Sequence, residues 1–429
     1  MKNTHASRIK KALKLLKESG SPDSLLISSN PHAVRSRDIN FPYRQNSDLF
    51  YLTGSSHEAL SLLLRPHAKE DIVLVAPPPD AHQTLWEGAQ PSLAPLARQL
   101  GAELVLTKDP TTTLRGLLRG TDTVYLQSVA GSVSAELRRD FSARPAIAMR
   151  GLPSRIAEAE RFTAKLRCIK DTAEVAAIHR AGDLTSAALL HIAQYVRPGI
   201  REREIAALIE YLYRLHGAEP AFGTIIASGK SAATLHYRSL AKTLRSGEFL
   251  LIDTGCELNM YSCDVSRTVP VGTGLNPALR EVYETVLRAQ KAAIAKVRPG
   301  VHINDVYKAA AIELTRGLQE LKVLKGSLTQ LIQKGAFKPW FPHGIGHSLG
   351  IDVHDVSPGP NDRLFTLEKG MVITIEPGLY FSKPIRGIPA CGVRIEDDVL
   401  VTAKGCEVLT ESVFPKEFDE MCAVLQAGA

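Results

Sequence analysis

No apolar run in this 429-residue chain approaches the roughly 18 residues needed to cross a bilayer, and its six cysteines include no C-x-x-C pair. The first absence argues against a membrane helix. The second argues against a zinc knuckle or a disulfide framework, so Cys168, Cys256, Cys263, Cys391, Cys406 and Cys422 read as reduced core residues. Aromatic residues make up only 6%, with two tryptophans, and the net charge of +7 comes from basic residues spread along the chain. There is neither a basic stripe nor a stacking platform, so nucleic acid drops out as a partner, as the membrane does. The Lys-rich start, Met1 to Ser19, has Glu18 as its only acid and Ile9, Leu13 and Leu16 at helical spacing. That composition suits a transit peptide. The strand-like Ser24 to Ser28 that follows at once favours a first amphipathic helix, and a cytoplasmic protein is expected.

What is present is 44% hydrophobic and 23% charged, enough for two globular domains. From Ser24 to Met149 short apolar runs alternate with short helical patterns. Strands are predicted at Leu25 to Ile27, Leu49 to Leu52, Leu60 to Leu64, Ile72 to Val75, Leu104 to Leu106 and Val124 to Leu126. Helices fit Ser92 to Leu100 and Ser132 to Phe141. The alternation predicts an α/β domain over residues 1–163, ending in the Pro-rich approach to a linker between Pro145 and Pro153.

Longer helical periods follow, over Asp171 to Tyr195, Arg201 to Leu215, Asn276 to Lys296 and Ile303 to Gln319. The first pair is joined by Val196-Arg-Pro-Gly-Ile200 and the second by Val297-Arg-Pro-Gly-Val301. After each pair comes an apolar strand closing on an acid, Phe249-Leu-Leu-Ile-Asp253-Thr-Gly and then Met371-Val-Ile-Thr-Ile-Glu376-Pro-Gly. This repeated order predicts one domain of two related halves over residues 164–429, in an α/β (α+β) chain. The ends of equivalent strands should face one another.

Two further acids join Asp253 and Glu376. Tyr261-Ser-Cys-Asp264-Val-Ser-Arg-Thr268 alternates, with Ser262, Asp264, Ser266 and Thr268 on one face; a turn around Glu257 to Asn259 would bring Asp264 beside Asp253. In Gly392-Val-Arg-Ile-Glu396-Asp-Asp398, the residues Arg394, Glu396 and Asp398 share a face. Singly, Asp253 could open a turn, Asp264 could pair with Arg267, Glu396 could pair with Arg394, and Asp397 and Asp398 could be solvated or supporting charges. Together the four acids carry four negative charges, which matches two divalent cations. His347, in the Gly-broken loop His343-Gly-Ile-Gly-His347-Ser-Leu-Gly-Ile-Asp-Val-His354, adds a nitrogen ligand. An oxygen-rich shell with one imidazole favours Mn(II), then Co(II) or Fe(II), over a thiolate zinc site, with Zn(II) the remaining alternative. Two such ions can share one water and turn it into a hydroxide nucleophile.

These motifs, together with Phe41-Pro-Tyr-Arg-Gln-Asn-Ser-Asp48 and Phe50-Tyr-Leu-Thr-Gly54, resemble the pita-bread metallopeptidases, and within them the aminopeptidase P (Xaa-Pro aminopeptidase) branch. The resemblance implies a pita-bread catalytic domain behind an aminopeptidase P-like N-terminal domain, and hydrolysis of N-terminal Xaa-Pro bonds in peptides with proline second. It implies a homo-oligomer, dimer or tetramer. It assigns Asp253, Asp264, His347, Glu376 and Glu396 to the metals, with Glu376 also accepting a proton. His236 and His354 resemble the family's proton-shuttling histidines, His343 a lining residue, and Arg394 a residue that orients the ligands. Two further residues carry substrate-binding expectations. Trp86 suits a pocket rim or subunit contact, or equally the core. Arg363 could meet a substrate carboxylate, or be a surface arginine. The alternatives on the same fold are an Xaa-Pro dipeptidase and a non-catalytic binding scaffold.

Overall fold

The computed structural model describes residues 4–127, 129–143, 151–358 and 364–427. They divide into two compact units, Met1–Arg167 and Cys168–Ala429.

In the first unit a six-stranded mixed sheet has the order Glu103–Leu106, Ile72–Ala76, Ser61–Leu64, Ser24–Ser28, Thr123–Leu126, Arg155–Glu158. Ser24–Ser28 pairs antiparallel with Ser61–Leu64 and parallel with Thr123–Leu126. Every residue of Ser24–Ser28, Ser61–Leu64 and Ile72–Ala76 is buried, so these strands are covered on both faces and read as continuous apolar runs. Leu49 to Leu52, expected as a strand, instead lies in the helix Ser47–Thr53. The ends of the run overrode its strand-like composition. The Asn46 side chain accepts the Leu49 N–H, and Gly54, at φ +69°, donates its N–H to the Phe50 carbonyl.

The second unit repeats itself. Helices Thr172–Ile192 and Glu202–Leu215 form one pair, Pro277–Ile294 and Ile303–Glu320 the other. At the two hinges Gly199 and Gly300 have φ of +95° and +83°, a left-handed turn that an L side chain resists. The bonds around them match one for one. Gly199 N–H donates to the Leu244 carbonyl and Gly300 N–H to that of Leu367; Leu244 and Leu367 then return N–H bonds to Ile200 and Val301. The repeated motif is therefore a repeated structure.

Each half also supplies an antiparallel strand pair. Phe249–Thr254 runs against Val265–Pro270, with Asp253 opposite Ser266. Val372–Ile375 runs against Asp397–Val401, with Ile375 opposite Asp397. Asp253 and Glu376 thus close one strand of each pair, while Asp264 and Glu396 stand immediately before the other. Between Thr254 and Val265 the chain makes the hairpin Cys256–Leu258/Tyr261–Ser262. Its turn falls at Asn259 and Met260, both at positive φ, slightly later than the sequence suggested. Cys263, Val265 and Val269 enter the main apolar core with Ile252, Ile373, Ile375 and Val399, so the alternate face is left for polar groups.

The halves are joined by a wholly buried cation. Arg267 donates from Nη1 to the backbone carbonyls of Ser266 (3.0 Å) and Glu396 (2.6 Å), from Nε to Phe414 O (2.8 Å), and from Nη2 to Asp397 Oδ1 (2.8 Å). Asp397 also receives Gln290 Nε2, Thr410 Oγ1 and Lys416 Nζ. Arg267 therefore does not pair with Asp264, and Asp397 is not solvated. Burial alone would raise the Asp397 pKa, but Arg267 and Lys416 together hold it below the usual carboxylate range. Breaking such a buried pair typically costs about 3–5 kcal/mol.

Gly255 and Gly300 separate two kinds of glycine requirement. A Cβ on Gly255 would run into the Cys263 backbone carbonyl, whereas one on Gly300 would meet nothing and suffer only the left-handed turn. Gly300→Ala should lower unfolding stability by about 1–2 kcal/mol. Gly255→Ala should cost more and weaken metal binding, because the hairpin places Asp264. Urea melts of both variants check this; equal losses would contradict it.

Candidate metal centre

Four carboxylates and four histidines converge where the two halves meet. One ligand atom each of Asp264, His347 and Glu396 lie within 4.8 Å of one another. His347 Nε2 stands 3.4 Å from Asp264 Oδ2 and 3.9 Å from Glu376 Oε1. Its other nitrogen, Nδ1, is 3.1 Å from the Ser348 carbonyl, which leaves Nε2 aimed at the carboxylates. The loop bearing it is pinned to the strand Val372–Ile375, since His347 N–H donates to Thr374 Oγ1 and Thr374 N–H to the His347 carbonyl. Gly346 sits so close to the Thr374 carbonyl that a side chain there would clash.

Asp253 reaches this cluster through Arg394, whose Nη2 donates to Asp253 Oδ2 at 2.5 Å. Arg394 also donates from Nε to Ser266 Oγ (2.8 Å) and from Nη1 to the Tyr380 hydroxyl (3.1 Å). Ser266 in turn donates to Glu396 Oε2 at 2.8 Å. The expected surface pair of Glu396 with Arg394 is thus replaced by a buried bond from Arg394 to Asp253, with Ser266 between the guanidinium and Glu396. Asp398 is wholly buried, not solvated, and accepts the Asp264 N–H at 3.2 Å.

His343 forms a 2.9 Å hydrogen bond with the Tyr380 hydroxyl through Nε2, and its Nδ1 lies 3.8 Å from Glu376 Oε2. His354 packs on His347, with ring centroids 4.2 Å apart. His236 is exposed, yet near enough to both His343 and His354 for its charge to bear on theirs. Tyr380 and Ser266 escaped the sequence reading, although strand parity carried the signal: Tyr380 follows Glu376 and Gly378 at a spacing of two. Trp86 is 75% exposed on the helix Ala81–Glu87, none of whose residues is buried, which rules out the core role. Arg363 lies outside the described residues.

The charges do not balance without cations. Burial, then Asp253, Asp398 and Glu376, push the Asp264 carboxyl well above its ordinary range. Burial, then Asp264, Glu376 and Asp253, do the same to Glu396. Burial also raises Glu376, against His347 and Arg394, and lifts Asp398 to about 7. Among the described residues Asp253 Oδ1 and Asp264 Oδ1 are buried oxygens with no hydrogen-bond partner. Oxygens left bare, and carboxyls pushed above their ordinary range by burial and mutual repulsion, are what a cation site looks like from the protein's side. The donor set of carboxylate oxygens and one imidazole fits hard or borderline divalent ions.

The fold and site thus define a metal-dependent peptidase centre on two pseudo-symmetric halves. A model of metallopeptidase family M24 matches residues 176–403, and one of the aminopeptidase P N-terminal domain matches residues 5–125. The Xaa-Pro aminopeptidase of Escherichia coli is 34% identical over 421 residues, 94% of this chain and 93% of that protein. Human Xaa-Pro aminopeptidase 3 is 29% identical, over 94% of this chain and 81% of that one. Among solved structures, Pseudomonas aeruginosa aminopeptidase PepP superimposes with a TM-score of 0.91 at 32% identity, covering 100% of this chain and 98% of that one. Escherichia coli aminopeptidase P with the inhibitor Pro-Leu gives 0.90 at 32% identity, over 99% and 98%. The chain belongs to metallopeptidase family M24, with the N-terminal domain of aminopeptidase P, and the family implies divalent metal ions.

The raised carboxyl groups make metal binding pH-dependent in a definite direction. A carboxyl whose pKa is higher folded than unfolded favours the folded metal-free protein at low pH. That contribution is lost as pH rises from about 4 through the folded value. His343, lowered to about 4 chiefly by burial, and His354, lowered likewise, change stability only below their ordinary value near 6.5. Between pH 6.5 and 8.5 the carboxylates therefore dominate, and a cation offsets more repulsion at the upper end. The Tm gain on adding 1 mM Mn2+ to chelator-stripped protein should be several degrees larger at pH 8.5 than at pH 6.5. Equal gains would contradict the buried-charge account.

Proposed function

We infer that this protein is a metal-dependent exopeptidase that hydrolyses the bond between an N-terminal residue and a following proline. The observation that carries the reading is the buried, mutually repelling carboxylate cluster at the meeting of the two halves, in a chain of the aminopeptidase P kind.

Asp253, Asp264, His347, Glu376 and Glu396 would hold a pair of divalent ions, Mn(II) by the donor chemistry. When bound, such ions polarise the scissile carbonyl and acidify water near neutral pH. The protein's part is to place the groups around that chemistry. Glu376 is the least enclosed of the carboxylates, with 20% of its side chain exposed, and suits the role of proton acceptor from the attacking water. His343 and His354 stay neutral at pH 7, so each can donate from one ring nitrogen and accept at the other. That suits His354 to hydrogen-bonding the peptide and moving its proton, and His343 to lining the pocket; His236 joins His354 by its place beside it. Arg394, by holding Asp253 and Ser266, orients the carboxylates.

Proline explains why such a site is needed. An Xaa-Pro bond has no N–H, so a peptidase cannot grip it through that donor. The departing nitrogen leaves as a secondary amine and must take up one proton, which Glu376 can return.

We keep Trp86 as a rim or subunit-contact residue of a homo-oligomer. A tryptophan this exposed, with its Nε1 bonded to His82 on the same helix, suits a face covered in an assembly. The assembly and its cytoplasmic setting remain part of this proposal.

The assay that tests the reading offers Xaa-Pro-Yaa tripeptides beside Xaa-Pro dipeptides; preferred turnover of the dipeptide overturns the aminopeptidase assignment. Asp264→Ala and Glu396→Ala should each lower kcat by about a thousandfold or more. The metal-free Tm should hold or rise, since each change removes a repelling charge. Retained activity in both variants would place the metals elsewhere.

A further inference from the structure

Glu202 opens the helix after the first hinge and is wholly buried. Its counterpart in the second half is Ile303. The backbone N–H of Glu202 donates to the Lys242 carbonyl, and that of Ile303 to the Phe365 carbonyl, at the same point of the repeated motif. An apolar side chain therefore satisfies this position, and Ile303 is buried there at 6% exposure. A buried carboxylate is costly unless each oxygen is matched, so its presence in one half alone calls for a reason.

All four of its side-chain hydrogen bonds go to one stretch of chain. Oε1 accepts the Ser228 N–H and hydroxyl, both at 2.8 Å. Oε2 accepts the Tyr237 hydroxyl and the Lys242 N–H, both at 3.0 Å. These bonds grip the stretch at its start, next to His236, and at its end. From Thr234 to Lys242 the stretch is exposed or half-buried, and Leu240 within it has φ +48°, which an L residue adopts only under constraint. In the second half, where the chain returning to Phe365 carries His354, the matching position is isoleucine and offers no such bonds.

We propose that Glu202 is a positioning residue that holds the His236 loop in place over the metal pocket. A carboxylate is the side chain that can do this, because it accepts at both oxygens. Glutamine cannot replace it. Whichever way the carboxamide turns, its NH2 group faces a backbone N–H that cannot accept, either that of Ser228 or that of Lys242.

The inference rests on the reading that His236 faces the reacting peptide, so its test has one arm that needs no turnover. In the Mn2+-loaded full chain, Glu202→Gln should lower kcat on an Xaa-Pro-Yaa tripeptide by about tenfold or more, and Tyr237→Phe by a smaller factor. In a His236→Ala background the same changes should have almost no further effect, because the group they position is gone. Independently, trypsin should cut after Arg238 several-fold faster in Glu202→Gln than in the wild type. Should Glu202→Gln fail to fold, Tyr237→Phe carries both arms. Equal fractional losses with and without His236, or unchanged cleavage at Arg238, overturn the proposal. A wild type inactive on the tripeptide would instead overturn the functional reading, while the trypsin arm still tests the anchor.

Discussion

Everything in the second unit answers to one electrostatic constraint: four carboxylates are held together out of water, where they repel one another. A loosely built pocket would relax by turning a carboxylate outward, and the structure resists this at three of the four positions. Asp253 is clamped by Arg394, Asp264 is tied through its own N–H to Asp398, and Glu396 accepts from Ser266. Beneath them Arg267 fixes the two halves to each other through the carbonyls of Ser266 and Glu396. The repulsion that remains is stored in raised carboxyl pKa values, and that stored repulsion is what gives the pocket its affinity for divalent cations.

The two cationic side chains divide the work. Arg394 touches the carboxylate cluster directly, while Arg267 lies one layer below and bonds mostly to backbone. Asp397 takes Arg267 and Lys416 with Gln290 and Thr410 as further donors, and Lys416 also meets Glu411 at 3.4 Å, so the lower layer pairs two cations with two acids. Adjacent aspartates in one strand thus have opposite fates. Asp397 is held below the carboxylate range by its cations, and Asp398, on the other face, is lifted to about 7 by burial. Strand alternation alone separates a scaffold charge from one facing the pocket.

Pseudo-symmetry supplies the frame, and the departures from it supply the chemistry. The hinges, their left-handed glycines and the returning segments match between halves. Glu202 in place of the Ile303 type, and the loop bearing His343, His347 and His354 in the second half only, do not match. Duplication places acids in pairs around a common point. The histidines, His236 from the first half against three from the second, make the two sides of that point unequal.

Much of this was legible in the chain because it depends on local geometry. The hinge repeat exposed the two halves, and alternation with a period of two told which residues of Tyr261 to Thr268 and Gly392 to Asp398 share a face. Other features were set by partners distant in the chain: Arg394 bonding Asp253 instead of Glu396 and Arg267 taking Asp397, each across more than a hundred residues, and Tyr380 joining His343 to Arg394. Leu49 to Leu52 fell between these cases, an apolar run that could be either strand or helix until its Asn46 and Gly54 ends were given weight. Periodicity reports the side of an element on which a residue stands, since the backbone repeats over a few residues. Which charge that side then meets follows from strand order and register, and those form only when the whole chain has packed.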